Sequence, residues 1–249
     1  MEFQSIKVRY QKNICFIKFN RNNYKNTITD QLIDEFNYAL NKYEHEVTIV
    51  VIEGSPDYFC FGADFQGIDN IKNPESLYQL WLNLTSKPYI TIAHVQGKVN
   101  AGGVGFVAAC DIVIANEKAL FSLSELLFGL LPACVLPFLI RRVGFQKANY
   151  MTLMTHPITV QQAHTWNLVD VYDSHSEKML RKHLLRLKYI PKSGIMRYKR
   201  YASALYDLLY TLKPKALTAN HGTFSENGNL EKIKRYIEKG LFPWEEENE

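Results

Sequence analysis

The sequence predicts an α/β domain whose last part is helical. Short apolar runs of strand length alternate with stretches of helical periodicity over the first two thirds of the chain, and helical patterns dominate afterwards. The 249 residues are 47% hydrophobic and 22% charged, which is enough apolar material for an ordinary buried core. We therefore expect one α/β core followed by helices.

The first elements follow the order of a strand–helix–strand unit. Residues 6–19 hold two alternating runs around a polar turn, which predicts an antiparallel hairpin. Thr29 or Asp30 can cap the helix that follows, because apolar residues then recur at helical spacing. Residues 47–53 (VTIVVIE) end at a Gly-Ser-Pro turn and predict a buried strand. This order predicts a βαβ unit and a parallel sheet.

A second unit repeats the pattern, and helices then continue to the end of the chain. The sequence predicts strands at residues 89–95 and 111–115. It predicts helices at residues 76–84, 101–109, 136–142 and 159–168, after residue 174, and around residues 215–239.

Bulk properties exclude several classes of protein. No apolar run approaches the ~18 residues that span a bilayer, and the first residues lack the apolar core of a signal peptide, so we expect a cytoplasmic protein without membrane contact. A net charge of +4 is too small to indicate nucleic acid binding. The cysteines have no metal-ligand or disulfide spacing, so we expect buried free thiols and no metal site. They are Cys15, Cys60, Cys110 and Cys134.

One stretch of the chain is basic without any acidic residue. This basic run predicts either a solvated helix face or a docking surface for an acidic partner, and composition favours neither. Its members are Lys178, Arg181, Lys182, Arg186, Lys188, Lys192, Arg197, Lys199 and Arg200.

Two segments that contain glycine each follow a predicted strand: residues 59–65, with Gly62, and the glycine-rich residues 97–105. Glycine lets backbone approach a ligand, and the start of a helix leaves N–H groups unpaired. Two such N–H groups that converge on one point would form an oxyanion hole. Taken alone, a glycine-rich helix start is more often a site of tight packing or phosphate contact. The G-x-G-x-x-G spacing of dinucleotide sites is absent from both segments.

Together, three motifs resemble the crotonase (enoyl-CoA hydratase/isomerase) superfamily over nearly the whole chain. They are Phe-x₂-Gly-Ala-Asp at residues 59–64, Gly-x₄-Gly-Gly-x₆-Cys-Asp-Ile at 97–112, and Ala-x-Phe-x₃-Glu-x₃-Gly-x₂-Pro at 119–132. The resemblance implies an α/β crotonase fold, with a spiral core of ββα repeats at residues 1–190 and a helical trimerisation region at 191–249. It also implies acyl thioester substrates, a homotrimer or dimer of trimers, and no cofactor beyond the CoA or phosphopantetheine that carries the acyl group.

The same resemblance assigns candidate catalytic groups. By position, the N–H groups of Ala63 and Gly102 form the oxyanion hole. Hydratases of this superfamily have glutamates at the positions of Gly105 and Glu125, and only Glu125 is retained here. The missing carboxylate is the one that would activate water, so ordinary enoyl hydration is not expected. Glu125 would transfer the proton at the α carbon, although a carboxylate at this place can also merely cap a helix.

A narrower resemblance concerns the dehydratases of polyketide β-branching cassettes. The strings CFGADFQ, GKVNAGGVGF and FSLSELLFGLLPACVLPFLIRR are similar to that group. The group dehydrates 3-hydroxy-3-methylglutaryl carried on an acyl carrier protein to 3-methylglutaconyl. A sister decarboxylase has lysine where this chain has Phe65 and histidine where it has Asn220. His221 stands one position out of that register.

Other residues and other functions stay open at this point. Asp64, Phe65 and Asn100 are candidate substrate-binding residues, and Asn100 fits an alternative role in satisfying turn backbone. His94, in an apolar strand, fits a core histidine better than a catalyst. The alternatives to dehydration are decarboxylation, isomerisation or other CoA chemistry, and an inactive thioester-binding scaffold.

Overall fold

The computed structural model describes residues 2–64, 74–205 and 207–246, which form two β-sheets with helices packed around them. The strands are β1 (Ile6–Gln11), β2 (Ile14–Phe19), β3 (Ile49–Glu53), β4 (Tyr58–Cys60), β5 (Ile90–Val95), β6 (Lys98–Asn100), β7 (Ile112–Asn116), β8 (Leu120–Ser122), β9 (Ile158–Thr159) and β10 (Val171–Asp173). The helices are α1 (Asp30–Tyr43), α2 (Pro74–Ser86), α3 (Gly102–Ala109), α4 (Leu136–Val143), α5 (Phe145–Met154), α6 (Val160–Thr165), α7 (Ser176–Leu187), α8 (Lys192–Leu205), α9 (Leu208–Phe224) and α10 (Asn227–Lys239). Short 3-10 helices lie at Asn22–Tyr24 and Glu125–Phe128.

The larger sheet has the strand order β1-β2-β3-β5-β7-β10. Strands β1 and β2 form the predicted antiparallel hairpin, and every other pair in this sheet is parallel, as the βαβ pattern predicted. Side chains of β3 alternate between the two faces, because Val50 and Ile52 join the main core whereas Ile49 and Val51 pack with Leu180 of α7. Both faces of the sheet are therefore covered, which explains the continuous apolar run.

The smaller sheet has the order β4-β6-β8-β9, and its first three strands are parallel. Each strand has only two or three residues, which is too short for a periodic pattern, and the sequence did not predict this sheet. Successive turns of the chain nevertheless place the carboxyl ends of β4, β6 and β8 side by side. The segments that follow these three ends contain Ala63, Gly102 and Glu125. The smaller sheet thus brings the three motifs together.

The helical pattern predicted around residues 215–239 corresponds to α9 and α10. The two helices are separated where the chain at Glu226 adopts an extended conformation before α10 begins. Helix α9 packs against α2 and α4, and Leu209 and Ala216 belong to the main core. The helical region therefore shares the core of the preceding residues, and a boundary at residue 190 stays a prediction.

The predicted state of the cysteines is confirmed, because all four are buried free thiols. Over the described ranges, no helix combines the length and the apolar character needed to cross a membrane. The described part of the chain likewise contains no group of three or more His, Cys, Asp and Glu side chains placed to hold a metal ion.

Candidate active site

A cavity of about 320 Å³ opens where the three motifs meet. Both predicted backbone donors and Glu125 line this cavity, which we call the motif cavity. Its other lining residues include Ile28, Asp64, Trp81, Asn100, Ser124, Phe128, Cys134, Asn220, His221 and Phe224. A larger cavity of about 670 Å³ lies against α8 and is lined by Asp111 and Lys199, but it contains none of the predicted catalytic residues.

Ala63 is held in place by a β-bridge to Ile28. The N–H of Ile28 donates to the carbonyl of Gly62 at 2.8 Å, and the N–H of Asp64 donates to the carbonyl of Ile28 at 3.0 Å. In such a parallel bridge the backbone N–H of the middle residue points away from its partner. Gly62 has φ +88°, a conformation that favours glycine. The bridge therefore fixes the direction of the Ala63 N–H.

Gly102 begins α3 directly after Ala101, which has the unusual φ of 50°. A Cβ on Gly102 would lie 2.8 Å from Cδ1 of Ile28, so a larger residue here would require the Ile28 side chain to shift. The first N–H groups of a helix have no partner within the helix. Within the described ranges, neither the Ala63 nor the Gly102 N–H donates a hydrogen bond. Two fixed backbone donors are thus available at this cavity.

Glu125 begins the 3-10 helix that follows β8. Its Oε2 atom is buried and has no hydrogen-bond partner among the described residues. Burial raises the pKa of this carboxyl group from its usual 4.5 to about 7, although the N–H groups of Glu125 and Ser124 offset part of the effect. A carboxyl group with this pKa can both accept and return a proton near neutral pH. One oxygen of the carboxyl group therefore accepts from local N–H groups, as a helix cap does, whereas Oε2 is left without a partner among the described residues.

Trp81 of α2 fills the position where a second glutamate would project. A Cβ on Gly105 would lie 2.4 Å from Cζ2 and Cη2 of Trp81, so any side chain at residue 105 would collide with the indole. The indole packs edge-on against Phe106 and Phe138. The loss of this carboxylate is therefore matched by a large side chain 24 positions earlier, a contact that no sequence pattern indicated.

The candidate substrate-binding residues have structural partners as well. Asn100 donates to the Ser124 hydroxyl at 2.9 Å and accepts from Ser122 at 2.8 Å, so it fixes the backbone next to Glu125. The Asp64 carboxylate forms an ion pair with Arg21 at 2.5 Å. Both Asn100 and Asp64 still border the motif cavity. Phe65 lies outside the described residues.

His94 is a buried core histidine, as predicted. Its Nδ1 lies 3.2 Å from a carboxylate oxygen of Glu53, and its Nε2 lies 3.0 Å from the hydroxyl of Ser176. The side chain is only 2% exposed and does not line the motif cavity. Both ring nitrogens are thus satisfied by neighbours, so the histidine serves the core.

His221 lines the motif cavity, although its position in the sequence did not indicate this. Both Asn220 and His221 of α9 line the motif cavity, although the sequence placed histidine one position out of register with the decarboxylase pattern. Adjacent residues on a helix differ in direction by only ~100°, so a wide cavity can contact both. The site therefore still contains an imidazole group, that of His221, although residue 220 is asparagine.

The spiral arrangement of short parallel strands, and a cavity lined by two free backbone donors and a buried glutamate, define an enzyme of the crotonase type. The chain belongs to the enoyl-CoA hydratase/isomerase family, whose model matches residues 9–247. It is 54% identical to the bacillaene synthase dehydratase PksH of Bacillus subtilis (strain 168), over 98% of both chains. It is also 32% identical to the 2,3-dehydroadipyl-CoA hydratase of Escherichia coli (strain K12), over 67% of this chain and 69% of that one.

Solved structures agree with this assignment. The crystal structure of a polyketide biosynthesis enoyl-CoA hydratase (pksH) from Bacillus subtilis matches with a TM-score of 0.95 and 54% identity, over 97% of this chain and 100% of the other. A methylmalonyl-CoA decarboxylase matches with a TM-score of 0.84 at 18% identity, over 96% and 97% of the two chains. The second likeness shows the shared fold alone. The predicted crotonase fold is therefore confirmed.

Proposed function

We propose that the protein dehydrates a 3-hydroxy-3-methylglutaryl thioester on an acyl carrier protein to the 3-methylglutaconyl thioester, as one step of polyketide β-branching. The observation that carries the proposal is a cavity with one buried glutamate and two free backbone donors, in which a tryptophan fills the place of the second glutamate. The 54% identity to a polyketide dehydratase supports the same reaction. A homotrimer, or a dimer of such trimers, belongs to this proposal.

The chemistry follows from the charges that develop during elimination. Glu125 takes the proton from the α carbon, and negative charge moves to the thioester oxygen. The N–H groups of Ala63 and Gly102 donate to that oxygen and stabilise the enolate, with each donor contributing ~3 kcal/mol. The C–O bond at the β carbon then breaks as the C=C bond forms. Glu125 returns its proton to the departing hydroxide, which leaves as water, and the carboxylate is regenerated.

The test uses 3-hydroxy-3-methylglutaryl on a carrier protein, followed by mass spectrometry of the acyl group. We expect the loss of one water from the wild-type reaction. Glu125→Gln keeps the size of the side chain but removes the base, so we expect at least ~10²-fold slower dehydration. Circular dichroism of the variant should match that of wild type. Near-normal turnover by Glu125→Gln would rule out this mechanism.

Decarboxylation is the second candidate, because the imidazole of His221 lines the same cavity. Incubation with the 3-methylglutaconyl thioester separates the two reactions. We expect no release of carbon dioxide from it, whereas release at a rate comparable with dehydration would assign the chain to decarboxylation. A protein that performs neither reaction would be a binding scaffold.

A further inference from the structure

Two residues that line the motif cavity each have a buried polar atom without a hydrogen-bond partner among the described residues. One is Oε2 of Glu125, an acceptor, and the other is Nε1 of Trp81, a donor. Trp81 is only 1% exposed. Buried polar groups in folded proteins are nearly always paired, so each exception requires an explanation. An acceptor and a donor left unpaired on one cavity match a ligand group that both donates and accepts, such as a hydroxyl.

The position of the indole ring indicates which part of the site its N–H group lies near. Of the indole atoms, Cε2, Cζ2 and Cη2 lie within 2.8 Å of the point where Gly105 would carry a Cβ, and Cε2 is bonded to Nε1. The N–H therefore lies one bond beyond the indole atoms that surround the point from which a side chain at residue 105 would project. Rings of Phe106 and Phe138 hold the indole at edge-on contacts of 5.9 and 5.6 Å between centroids. The donor is thus fixed in direction before any ligand binds.

We propose that the Nε1–H of Trp81 donates a hydrogen bond to the β-hydroxyl oxygen of the substrate and stabilises that oxygen as it departs. Trp81 is then a catalytic residue for the dehydration proposed above, on which this inference rests. The indole N–H gives up no proton. The proton that Glu125 removed from the α carbon goes to the oxygen, the C–O electron pair leaves with that oxygen, and water is released.

A neutral donor suits this step better than a second carboxylate would. Negative charge grows on the β oxygen as the C–O bond breaks, and a fixed dipole aimed at that charge lowers its energy in a cavity without bulk water. An ionised carboxylate at the same place would repel the charge. The same hydrogen bond distinguishes substrates, because a ligand without a β-hydroxyl leaves the indole N–H unpaired.

The first test compares Trp81→Phe with wild type on a 3-hydroxy-3-methylglutaryl pantetheine thioester and on 3-methylglutaryl pantetheine thioester, its deoxy analogue. We expect kcat/KM for dehydration to fall by ~10- to 100-fold, as is usual when one donor to a developing charge is lost. Affinity for the deoxy analogue should change by less than about threefold, because that ligand never used the N–H. Trp166→Phe, at a residue outside the motif cavity, is the matched control and should behave as wild type.

A second variant separates the hydrogen bond from packing. Replacement of Trp81 by 3-benzothienylalanine keeps the bicyclic shape and removes only the N–H. We expect it to reproduce the loss in kcat/KM seen with phenylalanine. Full activity of this analogue, or equal weakening of both thioesters by Trp81→Phe, would overturn the inference and leave Trp81 as a packing residue.

An NMR measurement makes the inference independent of turnover. The experiment uses Glu125→Gln protein labelled with ¹⁵N in its indole groups. The chain has three tryptophans, and the Nε1–H signal of Trp81 is the one that disappears when Trp81→Phe is combined with Glu125→Gln. We expect it to move downfield with the hydroxy thioester and to stay in place with the deoxy analogue. If the signal moves but the wild-type protein does not dehydrate the substrate, the proposed function is refuted and the hydrogen bond from Trp81 is not. An unmoved signal would refute the role of Trp81 even if dehydration is confirmed.

Discussion

At the scale of single residues, the site depends on the burial of Glu125. The environment that raises the pKa of this carboxyl group to about 7 makes it a useful base near neutral pH, and it also makes the ionised form costly. In the unfolded chain the same group would have a pKa near 4.5. The folded protein therefore binds this proton more tightly than the unfolded chain does.

The pH dependence of stability follows from this difference. The protonated Glu125 carboxyl group contributes to the free energy of unfolding. This contribution is fully present below pH 4.5 and is lost as the pH rises through about 7, because the folded state must then hold a buried charge. We expect Glu125→Gln to equal wild type in stability near pH 4.5 and to exceed it at pH 8, by roughly 3 kcal/mol at most. Urea unfolding at both pH values measures this. The opposite sign at pH 8 would mean that the carboxylate has a stabilising partner.

At the scale of elements, α8 differs from the expectation for the basic run. Lys199 is only 3% exposed, and its ammonium group forms an ion pair with Asp111 at 2.6 Å and donates to the carbonyl of Thr85 at 3.0 Å. For Lys199, neither alternative left open by the sequence, a solvated helix face or a docking surface, is therefore correct. The side chain is drawn inward because carbonyl and carboxylate oxygens at the edge of the core need a donor. Arg197 and Arg200 remain exposed.

Lys25 lies next to an aromatic ring that lines the motif cavity, and Lys98 lies next to a ring that contacts it. The ammonium groups of Lys25 and Lys98 each lie 6.0 Å from the ring centroid of Tyr58, and Lys25 lies 5.4 Å from that of Phe61. Phe61 lines the motif cavity, whereas none of its described lining residues comes from α8. Acyl carrier proteins are expected to present an acidic surface near the pantetheine arm. Lys25 and Lys98 are thus better placed than α8 to contact such a surface.

Matched charge reversals test this choice. We expect Lys25→Glu with Lys98→Glu to lower kcat/KM for the carrier-bound substrate by ~10-fold at low salt, and less at high salt, because surface charges act by steering the encounter. Reaction with a pantetheine thioester should not change. Arg197→Glu with Arg200→Glu alters the net charge equally and should have no effect. If only the Arg197 and Arg200 reversals lowered kcat/KM for the carrier-bound substrate, the docking surface would lie on α8.

At the scale of the whole molecule, several large apolar side chains are exposed on two helices. Helix α5 exposes Phe145 and Leu153, and α8 exposes Tyr198, Tyr201 and Leu205, all by more than 60%. Exposed apolar side chains that form a contiguous patch typically mark a contact with another chain. They are compatible with the homotrimer, or dimer of trimers, implied by the crotonase resemblance.

Sedimentation can test this assembly. We expect a mass three or six times the 28.8 kDa of one chain. Tyr201→Glu with Leu205→Glu should shift the protein toward the monomer, because burial of charge at an interface is costly. Tyr24→Glu, at an exposed tyrosine elsewhere in the chain, is the control and should not change the mass. A wild-type monomer would contradict the prediction.

The sequence by itself determined five strands of the larger sheet, most of the helices and the identity of the candidate catalytic groups. The hairpin at residues 6–19, the cap at Thr29 and the parallel strands followed from periodicity and capping chemistry, which are properties of neighbouring residues. The two glycine-containing segments and Glu125 followed from motifs with fixed spacing. A pattern over a few residues can carry this information because hydrogen bonding in helices and side-chain alternation in strands are local.

Only the tertiary structure decided which side chains share a cavity and which are removed from water. Trp81 lies over Gly105, His221 reaches the motif cavity, and Lys199 turns inward, and none of these contacts has a signature in the nearby sequence. The pKa of Glu125 depends on the same long-range packing, because desolvation is set by every group that excludes water from the carboxylate. Contacts and desolvation are properties of the folded chain, since they arise only when distant segments pack together.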